Sequence, residues 1–163
     1  MNAGKAIFWG GFWCGVLDIL SAIIPWSFLG VGPERILHSV ASGLIGKDAS
    51  LSGGWKTAVL GLFCHFLIAF GVATTYYLVS RRLTFLTTHP VVCGLIYGEI
   101  VYFMMNQVVL PLSAIHRPWL TMPSFSPWPM LVGGIIGHPI FVGLPVALAI
   151  AKWAPADSIS VHG

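Results

Sequence analysis

An unbroken apolar run from Lys56 to Ser80, KTAVLGLFCHFLIAFGVATTYYLVS, constrains this chain more than any other stretch. As a helix rising ~1.5 Å per residue it reaches roughly 35 Å, more than the ~30 Å hydrocarbon core of a bilayer. No soluble core helix has to be that long and that apolar. One imidazole, His65, sits near its middle. The composition agrees, since 56% of the 163 residues are hydrophobic and only 8% are charged. Ordinary soluble domains carry about 25% charge, so the chain reads as a polytopic membrane protein with no room for a separate soluble domain.

The formal charge of +3 is scattered, and no basic run of the kind that tracks phosphate backbones is present. Nucleic acid is therefore excluded as a partner. Cys14, Cys64 and Cys93 fall in apolar segments without a C-x-x-C and read as small core residues. Lys5 ahead of an apolar run imitates a signal peptide. That run contains Asp18, is too long for an h-region and lacks a small-x-small cleavage site, so it is expected to be a retained first span.

Four spans are expected, over residues 6–29, 56–79, 91–112 and 130–153. In the first, Gly11, Cys14, Gly15, Asp18, Ala22 and Pro25 recur at three- and four-residue steps and share a face. Gly11-x-x-x-Gly15 permits close helix approach. Residues 33–46 differ: Ile36, Leu37, Val40, Ala41, Leu44 and Ile45 form an apolar stripe opposite Glu34, Arg35, His38, Ser39 and Ser42. Pro33 suits a helix start and Gly46 a stop, so a short amphipathic helix lying in the interface or capping the bundle mouth is expected. The stretch after it, KDASLSGG, reads as a turn. The proline-rich segment 113–129 is expected to cap the same mouth, and Pro139 and Pro145 to kink the last span, releasing the carbonyls of Ile135 and Phe141. Trp9, Trp26, Trp55, Trp128 and Trp153 lie near the expected span ends, where aromatic belts form. The fold class is thus all-α: a four-transmembrane-helix bundle with one interfacial helix, a single domain over 1–153 and a tail over 154–163. Basic residues tie between the two sides, and the compact Arg81-Arg82 pair tips the termini toward the cytoplasm.

Depth along antiparallel spans can be counted at ~1.5 Å per residue. Asp18 comes out roughly 18 Å from the termini side, His65 and His138 roughly 21 Å, Asn106 roughly 22 Å and Glu99 roughly 13 Å. Glu99 and Asn106, seven apart, share a helix face. A charge near the midplane costs at least ~2.5–3.5 kcal/mol, so these groups are expected to face inward and find partners. A faint repeat accompanies them: Gly61-x-x-x-His65 with Gly71 and Ala73 resembles Gly134-x-x-x-His138 with Gly143 and Ala147, each after a span carrying a carboxylate.

Three readings of the layer stay open. The groups are hydrogen-bond partners that fix helix register. Or Asp18, His65, Glu99, Asn106 and His138 form a proton or small-cation pathway or sensor. Or His65 and His138 are paired imidazole ligands of a haem b or a transition metal. No G-x-S-x-G, P-loop or H-E-x-x-H occurs, and the serines near His116 lack a partnering acid, so an enzyme is not expected. The first choice is a non-enzymatic protein handling protons or a small cation. The glycine faces also offer contact surface for a homo-oligomer or a larger membrane complex, beside the lipid bilayer itself.

The segments PERILHSVASGLIG, HFLIAFGVATTYYL and YGEIVYFMMNQVVLPLSA, with the closing H-P-x-x-x-G-L-P-x-A, carry a family likeness. From about residue 10 to 151 the chain resembles the small four-span bacterial inner-membrane proteins of the YagU-like type. The resemblance implies a bacterial inner-membrane location and a four-helix architecture, and it brings no established reaction or ligand.

Overall fold

In the computed structural model, which describes residues 2–122, 124 and 126–154, the long apolar runs are helices and no strand occurs among the described residues. Helix α1 (Ala3–Ser27) opens on Asn2, whose side chain accepts from the Lys5 amide at 3.1 Å and so satisfies one orphan donor of the first turn. Helices α2 (Pro33–Ile45) and α3 (Lys47–Ser52) follow, then α4 (Gly54–Ser80), a short α5 (Phe85–Thr88) and α6 (Pro90–Leu112). The last helical stretch is two pieces, α7 (Trp128–Ile136) and α8 (His138–Trp153), bent by 43°. Helices α1, α4 and α6 are each long and apolar enough to cross a membrane, and α7 with α8 makes a fourth crossing if the bent pair counts as one span. The expected tail lies, beyond Ala154, outside the described residues.

Helix α1 and the α7–α8 pair form the centre, with α4 packed on α1 and α6 packed on α8. The start of α1 meets the end of α8 where the Asn2 amide donates to the Trp153 carbonyl at 3.0 Å. Small residues set the spacing. A Cβ at Gly98 of α6 would run into the backbone of His138 and Pro139, and one at Gly143 into that of Gly94 and Gly98, so α6 and α8 touch backbone to backbone. Gly11 and Gly15 of α1 instead receive the rings of Phe70 and Phe66 from α4. The buried core between these helices is accordingly Ala69, Ala73, Val142, Val146, Ala147 and Ile150. Bulky residues such as Phe63, Leu67, Val92, Ile96 and Ile100 point outward, an apolar surface of the extent that lipid, not water, tolerates.

Helices α4 and α6 are tied by a tyrosine: the Tyr97 hydroxyl donates to the Val72 carbonyl at 2.8 Å, and its ring meets Tyr76 edge-on at 4.9 Å. Toward α2 they part around a crevice of about 430 Å³ bordered by Cys64, Leu67, Met105 and Val109.

Two details depart from the periodicity. Helix α2 does not dock by its whole apolar stripe; it buries Leu37, His38, Ala41 and Ser42 and leaves Leu44 62% exposed. The reason is polar. His38 Nε2 donates to the Gly54 carbonyl at 2.9 Å, the Ser50 hydroxyl donates to the His38 carbonyl at 2.7 Å, and Thr57 donates to the Ser50 carbonyl at 2.6 Å. Gly61 completes the seat, since a Cβ there would strike the Leu37 carbonyl. The stretch expected to be a plain turn is α3, which supplies Ser50 to this latch.

The second departure is the break in the last stretch. It falls at Gly134, whose φ of −92° and ψ of −112° leave the helical region, ahead of Pro139. A wide π-type turn over Val132–Ile136 contains it, a second follows over His138–Gly143, and another interrupts α6 over Met105–Val109. Proline removes a donor at one point; glycine at 134 lets the chain change direction there.

Candidate functional site

The five residues singled out by depth divide into two groups. Among the described residues no hydrogen bond or ion pair joins Asp18 or His65 to Glu99, Asn106 or His138.

The first group lies on α1 and α4. His65 is buried, and its Nε2 lies 2.8 Å from the Gly15 carbonyl oxygen across the helix interface. A carbonyl only accepts, so this nitrogen carries the proton. Gly15 has no side chain to shield that oxygen, and a carbonyl has a second lone pair beyond its helical bond. The ring stands edge-on to Phe66 at 5.6 Å. Asp18 is half-buried one turn further along α1, within electrostatic reach of the buried Cys14, and its own backbone carbonyl accepts from Ser21 at 2.8 Å. The His65 bond ties two unbroken helices together.

The second group lies where α6 crosses the break. Glu99, Tyr102 and Asn106 follow one another at steps of three and four and so share one face of α6. That face meets His138, whose ring lies 5.0 Å from the Tyr102 ring and whose Nδ1–H donates to the Gly133 carbonyl at 2.8 Å. The imidazole thus bonds a carbonyl in the broken turn and keeps Nε2 as its basic nitrogen. Glu99 is within electrostatic reach of His138, and its Oε2 is buried with no hydrogen-bond partner. Such an atom is costly to bury and marks a place where a proton or another donor belongs.

Arg117 closes this group from above. The chain after α6 folds back so that Arg117 Nη1 donates to Asn106 Oδ1 at 2.7 Å and Nη2 to the Met122 carbonyl at 3.3 Å. Asn106 Nδ2 in turn donates to the Tyr102 carbonyl at 2.9 Å, and Gln107 Nε2 to the Thr121 carbonyl at 3.0 Å. Gln107 Oε1, like Glu99 Oε2, is buried without a partner. Tyr102 lies within electrostatic reach of both Glu99 and Arg117, linking the carboxylate below to the guanidinium above.

The sequence reading missed Tyr102 and Arg117. Tyr102 was open to discovery, because it sits on the helical face that Glu99 and Asn106 define. Arg117 was not, because a proline-rich loop has no periodicity that says which way it folds.

As haem or metal ligands the two histidines present opposite ring nitrogens. His138 keeps Nε2 as its basic nitrogen, with Nδ1–H anchored on the Gly133 carbonyl, the usual disposition of a ligating imidazole. His65 donates Nε2–H to the Gly15 carbonyl and so keeps Nδ1. Among the described residues no three His, Cys, Asp or Glu side chains gather as a metal-binding group.

The helices compose a fold compatible with a membrane protein, three or four of them being apolar enough to span. No protein-family model, no curated protein and no solved structure matches this chain.

Proposed function

We propose that the chain is a four-span bacterial inner-membrane protein of the YagU-like type, with cytoplasmic termini, that takes up and releases a proton at Glu99 and His138. In this reading α7 and α8 count as one broken span, and the amphipathic α2 lies at the membrane interface. One observation carries the reading: a carboxylate oxygen buried without a partner beside an imidazole anchored at a helix break. Acids and histidines inside spans are expensive, and proton relays and sensors are what they usually serve. The break gives a bound proton something to act on, because the same imidazole that feels Glu99 bonds the Gly133 carbonyl at the bend. Protonating either group changes the electrostatics at a 43° hinge. Asp18 and His65 belong in this reading to helix assembly, not to the proton site.

Proton flux into liposomes holding the purified protein, together with proton uptake by the protein in a pH jump, tests this. Flux above empty liposomes that falls in Glu99→Gln and His138→Gln, and persists in Asp18→Asn, defines a pathway. Uptake lost in the same two variants without flux defines a sensor. Neither flux nor uptake in the unmodified protein overturns the reading.

A further inference from the structure

We infer that the groove between α1 and α8 at the end holding the termini is a binding site for an anionic phospholipid. The groove encloses about 820 Å³. Its α1 wall is Lys5, Trp9, Trp13 and Leu17, four residues at successive four-residue steps that run from the helix start inward. Twelve residues at ~1.5 Å each give this wall roughly 18 Å, about the depth of one leaflet's hydrocarbon. Pro145 and Leu148 line the opposite wall on α8 toward the inner end, and Lys152 and Trp153 the outer end.

Chemistry changes along this length in the order of a lipid. At the outer end the ammonium of Lys5 lies 5.5 Å, and that of Lys152 5.1 Å, from the centre of the same Trp153 ring. Two cations converge on one indole, and none of the described lining residues is acidic. Two cations at the mouth of one groove complement an anion, and a phosphodiester seated at this end would meet positive charge from both helices. The indoles of Trp9 and Trp13 have the amphipathic character that sits at the headgroup and glycerol level. Past them the walls are aliphatic only, which suits an acyl chain and offers nothing to a free anion.

The sequence accounts for the groove. Gly10 and Ala149 meet at the seam of the two helices, where a Cβ at Gly10 would lie 3.6 Å from Ala149 Cβ. Bulky indoles on α1 then stand outward beside that seam and leave the channel between them. The charges are the snorkelling type, with lysine stems along apolar surface and their heads at the interface. A basic pocket between helices at a membrane face is the known form of anionic headgroup recognition.

Native mass spectrometry of the detergent-purified full chain tests the site, with phosphatidylglycerol and phosphatidylcholine of matched acyl chains and inorganic phosphate as probes. The expected result is one phosphatidylglycerol bound, preferred about tenfold or more over phosphatidylcholine, and no phosphate adduct. The preference should vanish in K5Q/K152Q and persist in K5R/K152R, while Trp13→Leu should weaken both lipids alike. Equal binding of the two lipids, a preference unchanged in K5Q/K152Q, or a phosphate adduct that K5Q/K152Q abolishes would each overturn the assignment. So would a lipid-free dimer that K5Q/K152Q or Trp13→Leu dissociates, because a second copy would then fill the groove.

Discussion

The spans α1 and α4 make one half of this molecule and the spans α6 and α8 the other; each pair of spans carries one carboxylate and one histidine, and the two use them in opposite ways. In the first half His65 reaches across to another helix, and each of the two helices runs without a break. In the second His138 turns back five residues on its own chain, at a bend, and leaves a buried carboxylate oxygen beside it with nothing to bond. The matching glycines differ in the same sense: Gly61 seats α2 against α4, whereas Gly134 is where the chain breaks. Composition alone therefore does not separate the two pairs. What separates them is geometry: His65 bonds across a helix interface, whereas His138 bonds within its own chain beside a buried Glu99 oxygen that has no partner.

The largest expected effect tests the close contact that holds the second half together. Gly98→Leu should destabilise the protein by about 3 kcal/mol or more, because the new side chain meets backbone at His138 and Pro139 and neither can yield. Gly71→Leu, which points into open space, should be close to neutral, and unfolding in mixed detergent would show both.

Next comes the contrast between the histidines. His65→Ala removes an interhelix bond and should cost about 1–2 kcal/mol in the same assay. His138→Ala should cost less than about 1 kcal/mol, since its bond is local, while altering the exchange of amides around residue 134. A His138 variant as destabilising as the His65 variant would erase the proposed difference between the halves.

Much of the architecture could be read before any coordinates. Apolar runs such as 56–80 are long enough to leave no alternative to a helix, and the helix of residues 33–45 was visible from its Pro33 and Gly46 limits. Which carbonyl each histidine bonds was not visible. A rotation of α4 about its axis leaves its hydropathy unchanged, and only contacts such as Phe66 on Gly15 fix it. The burial of His38 was hidden for the same reason, because its partner carbonyl belongs to Gly54, sixteen residues on. The break was placed at the prolines, where a donor is missing by chemistry; Gly134 bends through conformational freedom that sequence does not mark as used or unused.

Smaller effects should follow at the upper edge of the second half. Arg117→Gln should leave stability within about 1 kcal/mol and yet speed proteolysis of the 113–127 segment, since the guanidinium pins that segment to Asn106. Glu99→Gln should move stability least, by about 0.5 kcal/mol or less, because the amide replaces an oxygen that had no partner to lose.

Infrared spectroscopy of the carboxyl groups, titrated with the protein in lipid, bears most directly on the pairing of Glu99 with His138. The band identified as Glu99 by its loss in Glu99→Gln should change its titration midpoint in His138→Gln and stay in place in His65→Gln. A midpoint that moves equally in both variants, or in neither, would contradict the pairing and return both histidines to helix assembly.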